Sequence, residues 1–169
     1  MSETVYVLLG SNLGDRARYL RAARENMAKV EGLEITAVSA IYASQAQNMD
    51  GDTPPFLNQV IKADYRFSPG ELLRALERIE RDLDRTDKGK GLPRTIDLDI
   101  LLFGDRALKT EGLNIPHPEL LNRPFVLVPL LEIDPEATLP PDQVRIADWL
   151  RPEDRDKVFL FEDHVARQV

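Results

Sequence analysis

Apolar and polar positions are spaced along this chain in blocks that each predict an element. Residues 5–9, Val-Tyr-Val-Leu-Leu, form an apolar run stopped by Gly10, the mark of a buried first strand. Ser11-Asn12-Leu13-Gly14-Asp15 supplies a turn with helix-start chemistry. Leu13, Ala17, Leu20, Ala23, Met27 and Val30 then recur at helical spacing and predict a helix over 15–30, ended by Glu31-Gly32. In 33–42, Leu33, Ile35, Ala37, Ser39 and Ile41 share one face of a second strand. Residues 43–55 have no period and many turn formers, and loops of that length tend to carry function. Residues 56–65 read as the next strand. Ser68-Pro69-Gly70-Glu71 then opens a helix, with a serine cap, proline in the first position and glutamate in the third, and Leu72, Leu76, Ile79 and Leu83 face inward.

A basic, glycine-containing loop over 85–94 leads into a further strand over 94–103. Beyond a turn at Gly104-Asp105 the pattern predicts a short strand over 107–109, a rigid Pro116-His117-Pro118, and a short helix from Asn122-Arg123-Pro124 carrying Phe125, Leu127, Leu130 and Leu131. A further short helix over 146–150 and an added strand over 158–161 complete the list. The core order is strand, helix, strand, strand, helix, strand. That order predicts an α+β fold, a ferredoxin-like βαββαβ core with helices on one face of a mainly antiparallel sheet and additions at its C-terminus. Residues 1–150 form one domain in this reading, and 151–169 are an extension without an assigned role.

Composition narrows the function. With 22 basic and 29 acidic residues the net charge is −7, which argues against nucleic acid or an anionic membrane as partner. Any phosphate site must therefore be a local basic cluster. There is no cysteine, so thiolate catalysis and cysteine-bound metals are excluded. No leader or membrane-length apolar run is evident, and a soluble cytoplasmic monomer is expected.

The most informative stretch is Arg94-Thr95-Ile96-Asp97-Leu98-Asp99-Ile100-Leu101-Leu102-Phe103. Ile96, Leu98, Ile100 and Leu102 make one apolar face, while Asp97 and Asp99 share the other with Thr95 and Leu101. At roughly 3.3 Å per residue the two aspartates lie about 6.6 Å apart, where unit charges repel by about 2.5 kcal/mol at an effective dielectric of about 20. A divalent cation offsets that repulsion, and two hard oxygen donors suit Mg²⁺, which keeps waters and shares substrate phosphates. An edge strand with both carboxylates in water is the alternative.

Arg85, Lys88, Lys90 and Arg94 fall within ten positions just before this pair. Guanidinium forks and lysine point charges are common phosphate binders, and carboxylates beside a basic loop suit phosphoryl transfer. His117 and Arg123 follow in a proline-stiffened segment, as phosphate or nucleotide contacts or as structural residues. Glu80 falls beside the apolar stripe of the second helix, either solvated, paired with a basic residue of the loop, or functional.

Six motifs occur in order: Leu9-Gly10-Ser11-Asn12-Leu13-Gly14, Phe56-Leu57-Asn58, Arg78-Ile79-Glu80, the run from Pro93 to Gly104, Ile115-Pro116-His117-Pro118 and Asn122-Arg123-Pro124-Phe125. Over residues 4–150 the chain resembles the 6-hydroxymethyl-7,8-dihydropterin pyrophosphokinases of folate biosynthesis. The resemblance implies transfer of pyrophosphate from ATP to the pterin hydroxymethyl oxygen, with AMP released. It implies two Mg²⁺ held by Asp97 and Asp99, with Arg85 and Arg94 completing the catalytic set. Nucleotide and phosphate contacts are implied for His117, Arg123, Glu80, Lys88 and Lys90, and Ile100 would line the adenine site. Asn58, Phe56, Phe125, Ser44 and Asn12 would form the pterin site. The match departs from the family pattern at Gly91-Leu92 before Pro93-Arg94, at Ser44-Gln45-Ala46, at Pro118 after the histidine and at Gly112. Those changes fall in the layer that covers the substrates, so a relative with a shifted substrate, a non-catalytic pterin or nucleotide binder, and another two-metal nucleotidyl transferase remain as alternatives. No residue stands out as a general base.

Overall fold

The computed structural model describes residues 1–12, 14–44, 55–83 and 95–161. The core is β1 (Glu3–Ser11), α1 (Arg16–Met27), β2 (Leu33–Val38), β3 (Tyr42–Ser44), β4 (Phe56–Tyr65), α2 (Pro69–Asp82) and β5 (Asp97–Phe103). The chain then adds a hairpin of β6 (Leu108–Thr110) and β7 (Leu113–Ile115), a 3₁₀ turn over Leu120–Asn122 and α3 (Pro124–Ile133). Two short strands, β8 (Thr138–Leu139) and β9 (Val144–Arg145), a 3₁₀ turn over Ile146–Trp149, α4 (Pro152–Arg155) and β10 (Val158–Leu160) complete it. The main sheet runs β10-β3-β4-β1-β5, with β2 pairing β4 farther along, and every pairing is antiparallel. This is the ferredoxin-like arrangement, extended by one edge strand.

Local chemistry accounts for most element boundaries. Ser68 Oγ accepts the Glu71 N–H at 3.2 Å and Glu71 Oε1 accepts the Ser68 N–H at 3.4 Å, closing the capping box of α2. α1 stops at Met27 rather than 30, because Lys29 and Val30 turn back onto Asn26 and Met27 in tighter i→i+3 bonds. Val30 still packs against the core. The single strand expected over 33–42 is interrupted at Ser39, whose N–H donates to the Val60 carbonyl at 3.0 Å and whose Oγ accepts the Val60 N–H at 2.9 Å. A side chain there replaces part of the ladder, and Glu132 of α3 accepts the Ala40 N–H and the Tyr42 hydroxyl. The strand expected at 107–109 exists one residue later and has a partner, β7, reached through a turn at Gly112 with φ +88°.

Two cores flank the sheet. On one face α1 and α2 cover Val5, Val7, Leu9, Ile61, Leu98, Ile100 and Phe103, with Leu20, Met27, Leu72 and Leu76 fully buried between them. Each of those four contributes about 1.5–3 kcal/mol by leaving water. The other face, expected to lie open, is covered over most of its length. Leu120, Val126, Leu127 and Leu130 pack there on Tyr6, Leu8, Val60, Leu101 and Leu102.

The placement of Leu102 departs from the alternation of β5. The β1–β5 register pairs Tyr6 with Leu102 and Val7 with Ile100, so Leu101 is an extra, unpaired residue. A β-bulge of this kind shifts the alternation by one. Leu102 therefore joins Leu101 on the α3 side, and Phe103 takes the place on the helix side that even numbering would give Leu102. The Leu101 carbonyl accepts the His117 N–H at 2.9 Å. One irregularity thus sets both the second core and the position of the histidine segment.

Candidate active site

α3 leaves one end of the sheet face uncovered, and the strand registers determine what meets there. Gly10 of β1 lies opposite Asn58 of β4 and opposite Asp97 of β5, and Leu8 lies opposite Asp99. Cross-strand partners point to the same face. With strands roughly 4.8 Å apart, the Asn58 and Asp97 backbones lie about 10 Å from each other with Gly10 between them. A Cβ on Gly10 would come within 3.2 Å of Asn58 Oδ1, so glycine keeps the floor of this row low.

A cavity of about 380 Å³ opens over the row. It brings together seven of the residues expected from the sequence: Ser44, Phe56, Asn58, Asp97, Asp99, Arg123 and Phe125. Asn58 is 2% exposed, and its Nδ2 donates to Ser44 Oγ at 3.2 Å. The Arg123 guanidinium lies 5.7 Å from the centre of the Phe125 ring, a cation–π stack that brings a positive charge into the cavity that the two carboxylates also line. An apolar wall, a fixed amide, two acids and one guanidinium therefore share a small volume. That combination suits a flat heterocycle bearing a phosphate-rich partner.

Five further lining residues were not assigned from the sequence: Leu8, Gly10, Glu119, Asn122 and Pro124. Gly10 and Asn122 sit inside recognisable motifs, but only the sheet register and the turn before α3 reveal that they face the site. Glu119 carries no signal, being an isolated acid ahead of an apolar pair.

His117 is half-buried just outside this lining. Its Nδ1 accepts the Glu119 N–H at 3.1 Å, so the neutral ring carries its proton on Nε2. Burial and the neighbouring Arg123 push its pKa down, and Glu119 and Asp97 pull weakly the other way. The ring is thus an uncharged N–H donor near the acids.

Three expected residues lie away from the cavity. Ile100 is buried among the helix-side core on the opposite face of β5. Asn12 is buried at the end of β1. Glu80 is 3% exposed, and its Oε2 accepts the Leu98 N–H at 2.8 Å, tying α2 to the strand that carries both aspartates. Arg85, Lys88, Lys90 and Arg94 lie outside the described residues, as do Gln45 and Ala46.

The donor set fits magnesium. Asp97 and Asp99 are half-buried on one strand face, and among the described residues no histidine or third carboxylate completes a compact ligand cluster with them. Two carboxylates leave most of an octahedral shell to water and phosphate oxygens, which is how Mg²⁺ binds when a nucleotide accompanies it. They do not make the closed nitrogen and sulfur cage of a structural zinc.

Comparison with known proteins finds relatives in sequence and in fold. Residues 6–135 match the family model described as 7,8-dihydro-6-hydroxymethylpterin-pyrophosphokinase. The chain is 42% identical over 137 residues to the 2-amino-4-hydroxy-6-hydroxymethyldihydropteridine pyrophosphokinase of Aquifex aeolicus, covering 81% of this chain and 84% of that one. It is 40% identical over 147 residues to the mitochondrial folate synthesis bifunctional protein of Pisum sativum, spanning 87% of this chain but 28% of that protein. In three dimensions it resembles Plasmodium falciparum HPPK-DHPS solved with pteroate, with a TM-score of 0.68, 14% identity, and coverage of 88% of this chain and 42% of that one. At that identity the structural match speaks for the fold alone.

Proposed function

The chain belongs to the 7,8-dihydro-6-hydroxymethylpterin-pyrophosphokinase family, and from that premise we propose how it works as an ATP-dependent pyrophosphokinase of folate biosynthesis. The reaction moves the β,γ-diphosphate of ATP to the hydroxymethyl oxygen of 6-hydroxymethyl-7,8-dihydropterin. The carbinol oxygen forms a bond to the β-phosphorus and gives up its proton to water, the bond from that phosphorus to the α,β-bridging oxygen breaks, and AMP leaves.

One observation carries this reading: Asn58, Gly10 and Asp97 form a single row across three strands, under one cavity. Asn58 and the Phe56 and Phe125 rings suit the heterocycle, and Gly10 leaves room for it to lie against the sheet. A pterin seated over Asn58 directs its hydroxymethyl arm toward Asp97 and Asp99. Those carboxylates would hold Mg²⁺, two ions in this proposal, whose chemistry is to neutralise and orient the triphosphate. Arg123 in the lining and, just outside it, the Nε2–H of His117 add donors for phosphate oxygens. Arg85, Lys88, Lys90 and Arg94 are assigned to the triphosphate as well, on the strength of the family resemblance and of their clustering just before the two aspartates. Glu80 and Ile100 act from beneath the strand, holding the aspartates in position rather than touching substrate.

Both substrates are small molecules, and a monomer is part of the proposal. A cytoplasmic site of action is part of the proposal; among the described residues no helix is long and apolar enough to cross a membrane. The test is product analysis with ATP, Mg²⁺ and the hydroxymethyldihydropterin. AMP and the pterin diphosphate in equal amounts, both dependent on the pterin, are expected. Release of inorganic pyrophosphate from ATP, or unaltered ATP with folded protein, would refute the reading.

A further inference from the structure

The amide that faces the heterocycle does not stand alone. Asn58 Nδ2 donates to Ser44 Oγ at 3.2 Å, and both groups are buried, at 2% and 7% exposure. With one amide proton committed to Ser44, the Oδ1 of Asn58 is turned toward Gly10 and the cavity floor. Ser44 is the last residue of β3, a strand of only three residues. It is separated from β2 by the interruption at 39–41, so β2 lends it no direct continuity. A strand this short, paired on one edge, holds a terminal side chain poorly.

The C-terminal strand covers the other edge. β10 pairs Val158 with Ser44, Phe159 with Ala43 and Leu160 with Tyr42. The Phe161 N–H donates to the Ile41 carbonyl at 2.9 Å, and hydrogen-bonded pairs alternate in an antiparallel ladder, so Phe159 and Ala43 exchange the next pair of bonds. β10 is itself anchored. Val158 is buried, Phe161 packs against the helix-side core, and the turn ahead of it is tied by Asp154, 4% exposed, which accepts the Arg151 N–H at 3.1 Å and faces Lys157 Nζ at 3.4 Å.

We propose that this C-terminal segment is a strap for the pterin wall: β10 fixes β3, and Ser44 on β3 is a positioning residue that fixes the orientation of the Asn58 carboxamide. The proposal rests on the function given above and adds that residues 151–161 belong to the substrate site. In consequence Asn58 presents its acceptor oxygen to the ligand, and a heterocycle with N–H donors on that edge is preferred over one that offers acceptors.

The experiment uses full-length variants, steady-state kinetics and a titration of the pterin in the presence of Mg²⁺ and a non-hydrolysable ATP analogue. Removing the Ser44 hydroxyl loses one buried hydrogen bond, so Ser44→Ala should weaken pterin binding by about three- to tenfold while KM for ATP stays within about twofold. Ser44→Thr, which keeps the hydroxyl, should restore it. Phe159→Pro removes the N–H that bonds Ala43 and should raise the pterin KM in the same selective way, whereas Phe159→Ala keeps that N–H and should match wild type. An unmoved pterin Kd in Ser44→Ala, no rescue by threonine, or equal losses for both substrates in Phe159→Pro would overturn the strap. A wild-type protein that makes no AMP refutes the function instead, and the pterin titration alone then decides on the strap.

Discussion

Gly10→Ala separates room for substrate from stability of the fold. Gly10 lies within β1, paired on both sides, at a backbone conformation that alanine adopts without strain. Replacing a strand glycine lowers the entropy cost of folding by about 0.5–1 kcal/mol. Against this, the new Cβ would sit 3.2 Å from Asn58 Oδ1, a few tenths of an ångström inside the usual carbon contact. The two effects nearly cancel, so the denaturation midpoint should stay close to wild type. Binding is a different matter. The methyl group rises into the cavity between Asn58 and Asp97, where the heterocycle lies in the proposed reading, and it also displaces the Asn58 amide. Losing one or two hydrogen bonds at about 0.5–1.5 kcal/mol each weakens the pterin by roughly 1–3 kcal/mol, or about 5- to 150-fold. Pterin KM and a pterin titration, each beside a urea melt, provide the assay. A stable Gly10→Ala enzyme with wild-type pterin affinity would refute the placement of the heterocycle over this row.

Other perturbations address the acids, their support and the histidine. Asp97→Ala and Asp99→Ala should each lower kcat by a factor of about 10² or more, since the Mg²⁺ they are proposed to hold would neutralise charge that grows in the transition state, and single-turnover AMP formation checks this. Glu80→Ala strips the Leu98 N–H of its buried acceptor and leaves a void, so it should cost about 3–5 kcal/mol in urea denaturation, while Glu80→Gln, which keeps an acceptor, should cost less. His117 has its folded pKa pushed below the ordinary value of 6.5, so the unfolded chain binds more protons as the pH drops through that value. In chelator, the stability His117 contributes is full above about pH 6.5 and falls progressively below it, and the wild-type midpoint should drop more between pH 7.5 and 5.5 than that of His117→Gln.

The parts of the fold written in local chemistry were legible in the chain. The capping box at Ser68, the run over 56–65 and the order of helices and strands all rest on neighbours within a few residues, and the structure reproduces them. The bulge at Leu101 was not legible, because it follows from how β5 meets β1. The sequence Ile-Leu-Leu-Phe is as apolar after the bulge as before it. The same holds for the second face of the sheet. α3 is apolar nearly all round, so its period says that it is buried but not against what.

The site divides along the same line. Asp97 and Asp99 could be read two residues apart because strand geometry alone puts them on one face, and that face is where they are. Ile100 and Asp99 are adjacent in the chain yet belong to opposite sides of the sheet, so a motif that names both gives no sign that one lines the cavity and the other lies in the core. Glu80 shows the consequence. Its spacing on α2 marks it as an acid beside an apolar stripe, and only the packing of α2 on β5 turns that acid toward the Leu98 N–H. A buried carboxylate is costly unless it is hydrogen-bonded, and this one is bonded to the residue between the two aspartates. The strand that presents the acids to solvent is thus gripped from behind by a third acid, so that the spacing of Asp97 and Asp99 is set by the helix layer as much as by the strand itself.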